Sequence, residues 1–286
     1  VDSFLVLKEN CTDTLFYLFS AISGQEVFRF GDKGRGVCEF YYPLFLSNSF
    51  AYDSLIIYDI PVGRLTKIDL HALVENQDIA KCANSEHLYR NLNFMYNFNK
   101  VDSAFIGTFI EKDEGLFSFC NRNNGEIKNT DYVPYYFYEK GRKDAYCHHV
   151  LVSEKDNSII VPFKYMNLIN CYDLDGNLKV TYALDWIKEE INTQIRVDEH
   201  TTVTFYRTYA TRNRCYLVWD GHKIEEELRK YPAKIVVMNW QGELEKVYQL
   251  DNFADFIIPD EKQRMIYVGV YNAGLEFVEI YKYPML

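Results

Sequence analysis

The chain has 286 residues, 24 of them Tyr and 20 Phe, with only seven Pro; this composition suits pleated, half-buried strands and does not fit a disordered segment. Its net charge of −10 comes from 31 Lys and Arg against 41 Asp and Glu. That balance argues against a nucleic-acid partner, because neutralising phosphates needs clustered cations. The seven cysteines are scattered, with no CxxC or tight Cys/His spacing, so no metal site, cofactor site or disulfide framework is expected. No apolar run approaches the ~20 residues of a spanning helix.

In chain order, SFLVLKE (3–9) reads as a strand, and TLFYLFSAISGQEVFRFG (14–31) reads as a hairpin turning at Gly24. Then GDKGRGVCEF (31–40) places three glycines, a Lys and an Arg close together. A phosphate cradle would need Lys-Ser/Thr after the last glycine, or a third glycine opening a helix. Val37-Cys38 and a strand-like run follow instead, so the stretch is read as a crossing between sheets. Three further hairpins follow the first pattern: GLFSFCNRNNGEIKNTDYV (115–133), NLINCYDLDGNLKVTYAL (167–184) and KIVVMNWQGELEKVYQL (234–250). In each, Gly125, Gly176 or Gly242 closes a short polar turn.

The intervals between the four turn glycines are 101, 51 and 66 residues. The first is about twice the second, which places a hidden turn near VENQ at residue 75. The third is long because GHKIEEELRKYP (221–232) is inserted. A repeat of about 50 residues indicates a propeller or solenoid. Two more strands precede each hairpin, as in HHVLVS-EKDN-SIIVPFKY (148–165) and DFIIP-DEKQ-RMIYVGVYN (255–272). The expected fold is therefore all-β: a six-bladed β-propeller of four-stranded antiparallel blades, with short helical insertions on one rim. A single domain over 1–286 is expected. Its first blade lacks the first strand, because SFLVLKE already reads as the second, and its last blade stops after LEFVEIYKY (275–283). A segment upstream of Val1 is expected to supply what closes the ring, since open edges invite aggregation.

The turns between first and second strands, and between third and fourth, are tight; most long connections fall on the other rim. Two of these look helical. Asp185 caps WIKEEINTQI, and Ile224 with Leu228 precedes the breaker Pro232. The most unusual connection is DYVPYYFYEKGRKDAYCHH (131–149), rich in tyrosine and ending in two histidines. Tyrosines offer an apolar face and a polar tip for recognition, so Tyr135, Tyr136 and Tyr146 are candidate ligand-binding residues. One of His148 and His149 is expected to face the central channel, because neighbours on a strand point to opposite sides. Arg207, in TTVTFYRTYATRNRCYLVWDG (201–221), is a candidate clamp for an anionic group. Such an arginine more often pairs with an acidic neighbour, and the chain has 41 Asp and Glu.

No GxSxG elbow, HExxH helix or locally supported Ser-His-Asp order is present, and no catalytic residue is assigned. The blade pitch and the segment FRFGDKGRGVCEFYYP (28–43) resemble the TolB-like, NHL-related six-bladed propellers of Bacteroides-type bacteria. The match lies in Gly31, Gly34, Arg35, Gly36, Glu39 and Phe40; Val37-Cys38 stand where that family often has Pro-Gly. The resemblance implies a cell-envelope location, periplasmic or outer-membrane-anchored, often with a lipid anchor, which here would lie upstream of Val1. It also implies a binding or scaffold role, and it carries over no catalytic residue. The leading expectation is a non-enzymatic binding propeller holding a glycan, peptide or protein on its loop-rich rim. The alternative is a metal-dependent hydrolase or lactonase-like propeller with a channel site. If an upstream segment closes the ring, extending the chain by about 20 residues before Val1, the length of a strand and its loop, should raise the melting temperature. Equal melting temperatures would sink the closure expectation.

Overall fold

In a computed structural model, the described residues are 4–9, 12–36, 38–48, 54–89, 92, 95–109, 115–133, 146, 148–184, 197–226, 231–272 and 277–285. They form six antiparallel sheets of three or four strands, a six-bladed β-propeller. The chain divides into two compact units, residues 1–112 with 118–128, and residues 113–117 with 129–286.

The first unit carries three sheets. They are β1 (Phe4–Lys8), β2 (Thr14–Ser20) and β3 (Glu26–Asp32); β4 (Pro43–Phe45), β5 (Leu55–Asp59), β6 (Arg64–Ile68) and β7 (Ala83–His87); and β8 (Met95–Lys100), β9 (Ala104–Phe109), β10 (Ser118–Asn121) and β11 (Ile127–Asn129). The second unit carries β12 (Leu151–Ser153), β13 (Ser158–Pro162), β14 (Leu168–Tyr172) and β15 (Leu178–Ala183); β16 (Thr202–Ala210), β17 (Arg214–Lys223), β18 (Lys234–Asn239) and β19 (Leu244–Gln249); and β20 (Phe256–Asp260), β21 (Met265–Asn272) and β22 (Phe277–Pro284). Every residue of β5, β13 and β14 is buried. Strands covered on both faces read as near-continuous apolar runs, as LIIYD, SIIVP and LINCY do apart from Asp59, Ser158 and Asn170. The outer strands β15 and β19 are mostly exposed or half-buried. Gly24, Gly125, Gly176 and Gly242 all have positive φ, as the hairpin reading of the repeat requires.

The hidden turn near residue 75 takes a different form from the one expected. Between β6 and β7 lie two short helices, α1 (Leu70–Asn76) and α2 (Ile79–Cys82). Asp69 caps α1 by accepting from the amide of Ala72, and Asp78 caps α2 by accepting from the amide of Ala80. Leu70 and Leu73 are buried in the same core cluster as Phe16, Phe30, Ile57 and Ile68. This excursion joins third and fourth strands, where the sequence reading expected a tight turn. The helix expected at 185–196 lies outside the described residues. Ile224 and Glu225 are in a turn after β17, and 227–230 again lie outside them.

The glycine-rich stretch is a crossing, as expected, and its polar groups are used internally. Lys33 and Phe40 form a parallel bridge, the amide of Gly34 donates to Phe40 O at 3.1 Å, and Gly36 N donates to Glu39 Oε2 at 2.9 Å. A Cβ on Gly34 would meet that carboxylate at 1.9 Å. The guanidinium of Arg64, from the start of β6, donates to the carbonyls of Gly36 and Glu39. Arg64 also lies 3.5 Å from Asp59 at the end of β5, and Asp59 accepts from the amides of Tyr41 and Tyr42 at 3.0 and 2.8 Å. Both charged residues are buried. Removing one partner of a buried pair leaves the other charge uncompensated, at a cost of about 3 kcal/mol or more. Arg64→Met should therefore lower the urea midpoint by an amount equivalent to about 3 kcal/mol, while Arg35→Met, at the exposed tip of the crossing, should change it little.

Candidate functional site

In the second unit the polar side chains gather at one end of the sheets. There the first strands begin (His149 before β12, Thr204–Arg207 in β16, Asp255 before β20) and the second strands end (Lys164 after β13, Asp220 and His222 in β17, Tyr271 in β21). Thr204 ties the fourth and fifth sheets together: its hydroxyl donates to Phe163 O at 2.7 Å and its amide to Lys164 O at 2.7 Å. Pairing of β16 with β17 shifts register on either side of Phe205, and irregularities of this kind re-aim side chains.

Around Tyr206 the cations converge. The Arg207 guanidinium lies 4.2 Å from the centre of the Tyr206 ring and 5.6 Å from that of Phe253. Lys164 Nζ lies 4.7 Å from the Tyr206 ring and 4.9 Å from that of Tyr165. Such placements hold a cation without discharging it. Arg207 Nη1 also donates to Ala254 O at 3.1 Å, and Nη2 stands 3.9 Å from Asp255 Oδ1. Asp255 in turn accepts from the amide of Tyr271 at 2.6 Å. His149 Nε2 is 2.9 Å from Tyr206 O. Burial lowers the pKa of His149, and the Lys164 and Arg207 charges act in the same direction.

Beside them, β17 ends in Trp219-Asp-Gly-His222. The Trp219 ring packs so closely on Gly221, whose φ is +71°, that a Cβ there would lie 2.0 Å from it. Asp220 and His222 continue the face of the strand that carries the buried Tyr216 and Val218; they are 3 % and 1 % exposed. Among the described residues, neither oxygen of Asp220 and neither ring nitrogen of His222 has a hydrogen-bond partner. Burial pushes the Asp220 carboxyl up to about 7, against the pull of Arg207 and Lys164 and with a push from Asp255. Burial also lowers the His222 pKa. Buried polar groups left in this way are rare and call for a reason.

Of the residues singled out in sequence, the structure brings His149 and Arg207 together on Tyr206. Tyr135 and Tyr136 lie outside the described residues. Tyr146 is 3 % exposed, packed on Tyr132 and Phe163 with ring centres 4.7 and 6.0 Å apart; it is a core ring and presents no surface to a ligand. His148 bridges to Phe163 and its Nδ1 meets the carbonyl of Tyr146; burial lowers its pKa to about 4. Among the described residues no three His, Cys, Asp or Glu side chains are placed to hold a metal ion. Lys164, Tyr206, Asp220 and His222 were missed in the sequence. The signal for the last two was present: in CYLVWDGH the polar residues fall in step with the buried positions of the strand.

No family model matches the chain, and no curated protein matches it. Similar solved structures include a member of the DUF4221 family from Bacteroides vulgatus, 12% identical with a TM-score of 0.56, covering 99% of this chain and 92% of that one. They also include TolB from Acinetobacter baumannii, 9% identical with a TM-score of 0.53, covering 99% of this chain and 60% of that one. The likeness is one of fold, and it agrees with the resemblance read from the blade pitch and the glycine-rich crossing.

The Asp220 shift carries a pH signature. Because its folded pKa is raised, the folded chain keeps a proton that the unfolded chain releases between about pH 4 and 7. Stability thus falls as pH rises through that window, and the loss is complete above it. Asp220→Asn should raise the melting temperature clearly at pH 8 and little at pH 5. Equal shifts at both pH values would contradict a desolvated carboxyl.

Proposed function

We propose that this chain is a non-enzymatic binding propeller that holds an anionic ligand at the strand ends of its second unit. The observation that carries this reading is the pair of cations, Lys164 and Arg207, held against the ring of Tyr206 in a chain whose net charge is −10. An isolated positive spot on an acidic protein steers an anion to one place and repels it elsewhere. Arg207 is braced by Ala254 O and Asp255, so little side-chain freedom remains to be lost on binding. Its guanidinium suits a carboxylate, sulfate or phosphate group. The glycan, peptide or protein that carries such a group would approach over the crossing 131–149, where Tyr135 and Tyr136 are proposed as aromatic anchors leading into His149. The envelope location, with a lipid anchor upstream, is proposed on the family resemblance. No helix among the described residues is long and apolar enough to cross a membrane.

The alternative of a channel-metal hydrolase gains no support from the described residues, because His148 and Asp255, its nearest candidates, are engaged with Tyr146 O and with Arg207 and Tyr271 N.

Calorimetric titration with a short oligoglutamate and with oligogalacturonate tests the reading. At least one should bind at low salt and weaken as NaCl rises from about 0.05 to 0.5 M, in line with screening. Arg207→Gln and Lys164→Gln should each weaken it about tenfold, the scale of one charge-assisted hydrogen bond. Binding that ignores both substitutions would place the ligand elsewhere.

A further inference from the structure

In the first unit the glycine-rich crossing ends in two adjacent tyrosines that face outward. Tyr41 and Tyr42 are 57 % and 49 % exposed, among the most exposed large side chains of the described residues. Their backbone is held rigidly, since both amides donate to the buried Asp59 carboxylate and Arg64 grips the carbonyls of Gly36 and Glu39 just before them. The amides of Gly34, Gly36, Glu39 and Phe40 are also bonded within the unit. The crossing therefore offers a partner its side chains and no backbone edge to pair with.

A cation stands over each ring. The Arg35 guanidinium lies 5.2 Å from the centre of the Tyr41 ring, and Lys8 Nζ lies 5.4 Å from that of Tyr42 and 2.8 Å from Pro43 O. Among the described residues neither cation pairs with a carboxylate, and neither phenol hydroxyl has a hydrogen-bond partner. The arrangement in the second unit is built in the same way. Lys8 ends β1 and Lys164 follows β13, in each case two strands before the last of the sheet. Each lysine lies on a tyrosine at the first strand of the next sheet, Tyr42 before β4 and Tyr206 in β16. An arginine joins the tyrosines in both places, Arg35 at Tyr41 and Arg207 at Tyr206. One arrangement met twice in a chain suits a ligand whose own chemistry repeats.

We infer that the first unit binds an acidic polysaccharide, its sugar rings on Tyr41 and Tyr42 and its carboxylates on Arg35 and Lys8, a second site whose ligand charge rests on the reading of Lys164 and Arg207. A uronate ring presents a face of C–H bonds, whose positive edge suits the negative face of an aromatic ring. It brings hydroxyls for the phenol tips and a carboxylate for the guanidinium. Every residue of such a chain carries all three, whereas an acidic peptide brings the charge without the sugar face. A single-stranded nucleic acid would also stack on tyrosine, but it needs a run of cations along its backbone, and here Lys8 and Arg35 stand in a chain of net charge −10. Because Asp59 and Arg64 already fix the platform, little freedom is lost on binding.

The test titrates the full chain by calorimetry with a galacturonate pentamer, its methyl ester, oligoglutamate and oligothymidylate. The acid pentamer should bind at two sites per chain. In an Arg207→Gln/Lys164→Gln background one site should remain. Arg35→Gln should weaken it about tenfold, the scale of one charge-assisted hydrogen bond; the methyl ester should bind it more weakly by a similar factor, and Tyr41→Ala/Tyr42→Ala should abolish it. Both rings are exposed, so the tyrosine variant should melt near the wild-type temperature; if it melts lower, Arg35→Gln decides alone. Loss of all binding in the Arg207→Gln/Lys164→Gln background overturns the inference and leaves the second-unit reading standing. A remaining site indifferent to Arg35→Gln overturns it too, and so does oligoglutamate or oligothymidylate bound there as tightly as the pentamer. Binding lost in Arg35→Gln but untouched in Arg207→Gln/Lys164→Gln supports the first-unit site and removes the second-unit reading. If the unaltered chain ignores the pentamer the inference falls, and if it ignores oligoglutamate as well both readings fall.

Discussion

Covering the inner strands on both faces is the constraint from which the other features follow. A strand such as β13 or β14, buried at every position, can satisfy its backbone only within its own sheet and must fill both faces with apolar side chains. Chemistry is thereby pushed to the strand ends. In the second unit, charged and polar side chains collect where first strands begin and second strands end, and the interior between them is Leu, Ile, Val and aromatic residues. A polar side chain inside that boundary is a departure from the rule and must be accounted for.

Several buried polar side chains fall inside it, Asn170 of β14 among them, and two charged groups stand in contrast. In the first unit, Asp59 and Arg64 are as buried as any core residue. Asp59 accepts two amides, and Arg64 grips two carbonyls of the glycine-rich crossing. Every partner belongs to the fold, which makes this pair a fastening for the chain between the first and second sheets. Asp220 and His222 are just as buried, yet among the described residues neither has a hydrogen-bond partner. Arg64 Nε also lacks a partner among the described residues, so the contrast is one of degree: most polar atoms of the first pair are bonded within the fold, and those of Asp220 and His222 are not.

The blade pattern was legible because it depends on local rules. Turn glycines at residues 24, 125, 176 and 242 recur with the repeat, and strand periodicity marks the runs between them. The helices at 70–82 escaped because each is less than two turns long and is fixed by Asp69, Asp78 and the burial of Leu70 and Leu73, not by a long amphipathic pattern. Of the candidate residues, His149 and Arg207 stand together on Tyr206, whereas the sequence context of Tyr146 does not reveal that Tyr132 and Phe163 enclose its ring. Lys164 and Tyr206 are brought together by the hydrogen bonds of Thr204 and Phe205 between sheets, contacts across about forty residues that no local pattern encodes.

The arrangement around Tyr206 also explains why a cationic site survives in so acidic a chain. Lys164 and Arg207 repel each other, and a nearby carboxylate would ordinarily neutralise them. Here the ring of Tyr206 lies against both, easing the repulsion without supplying a full negative charge. Asp255 approaches Arg207 only to 3.9 Å and is itself held by the Tyr271 amide. Its charge helps to hold the guanidinium in place. Asp220 is disfavoured as an anion by its burial, so it too stops short of cancelling the cations. Rings, a carbonyl and a carboxylate at 3.9 Å thus hold the two cations in fixed positions, and on that fixed placement the proposed anion site rests.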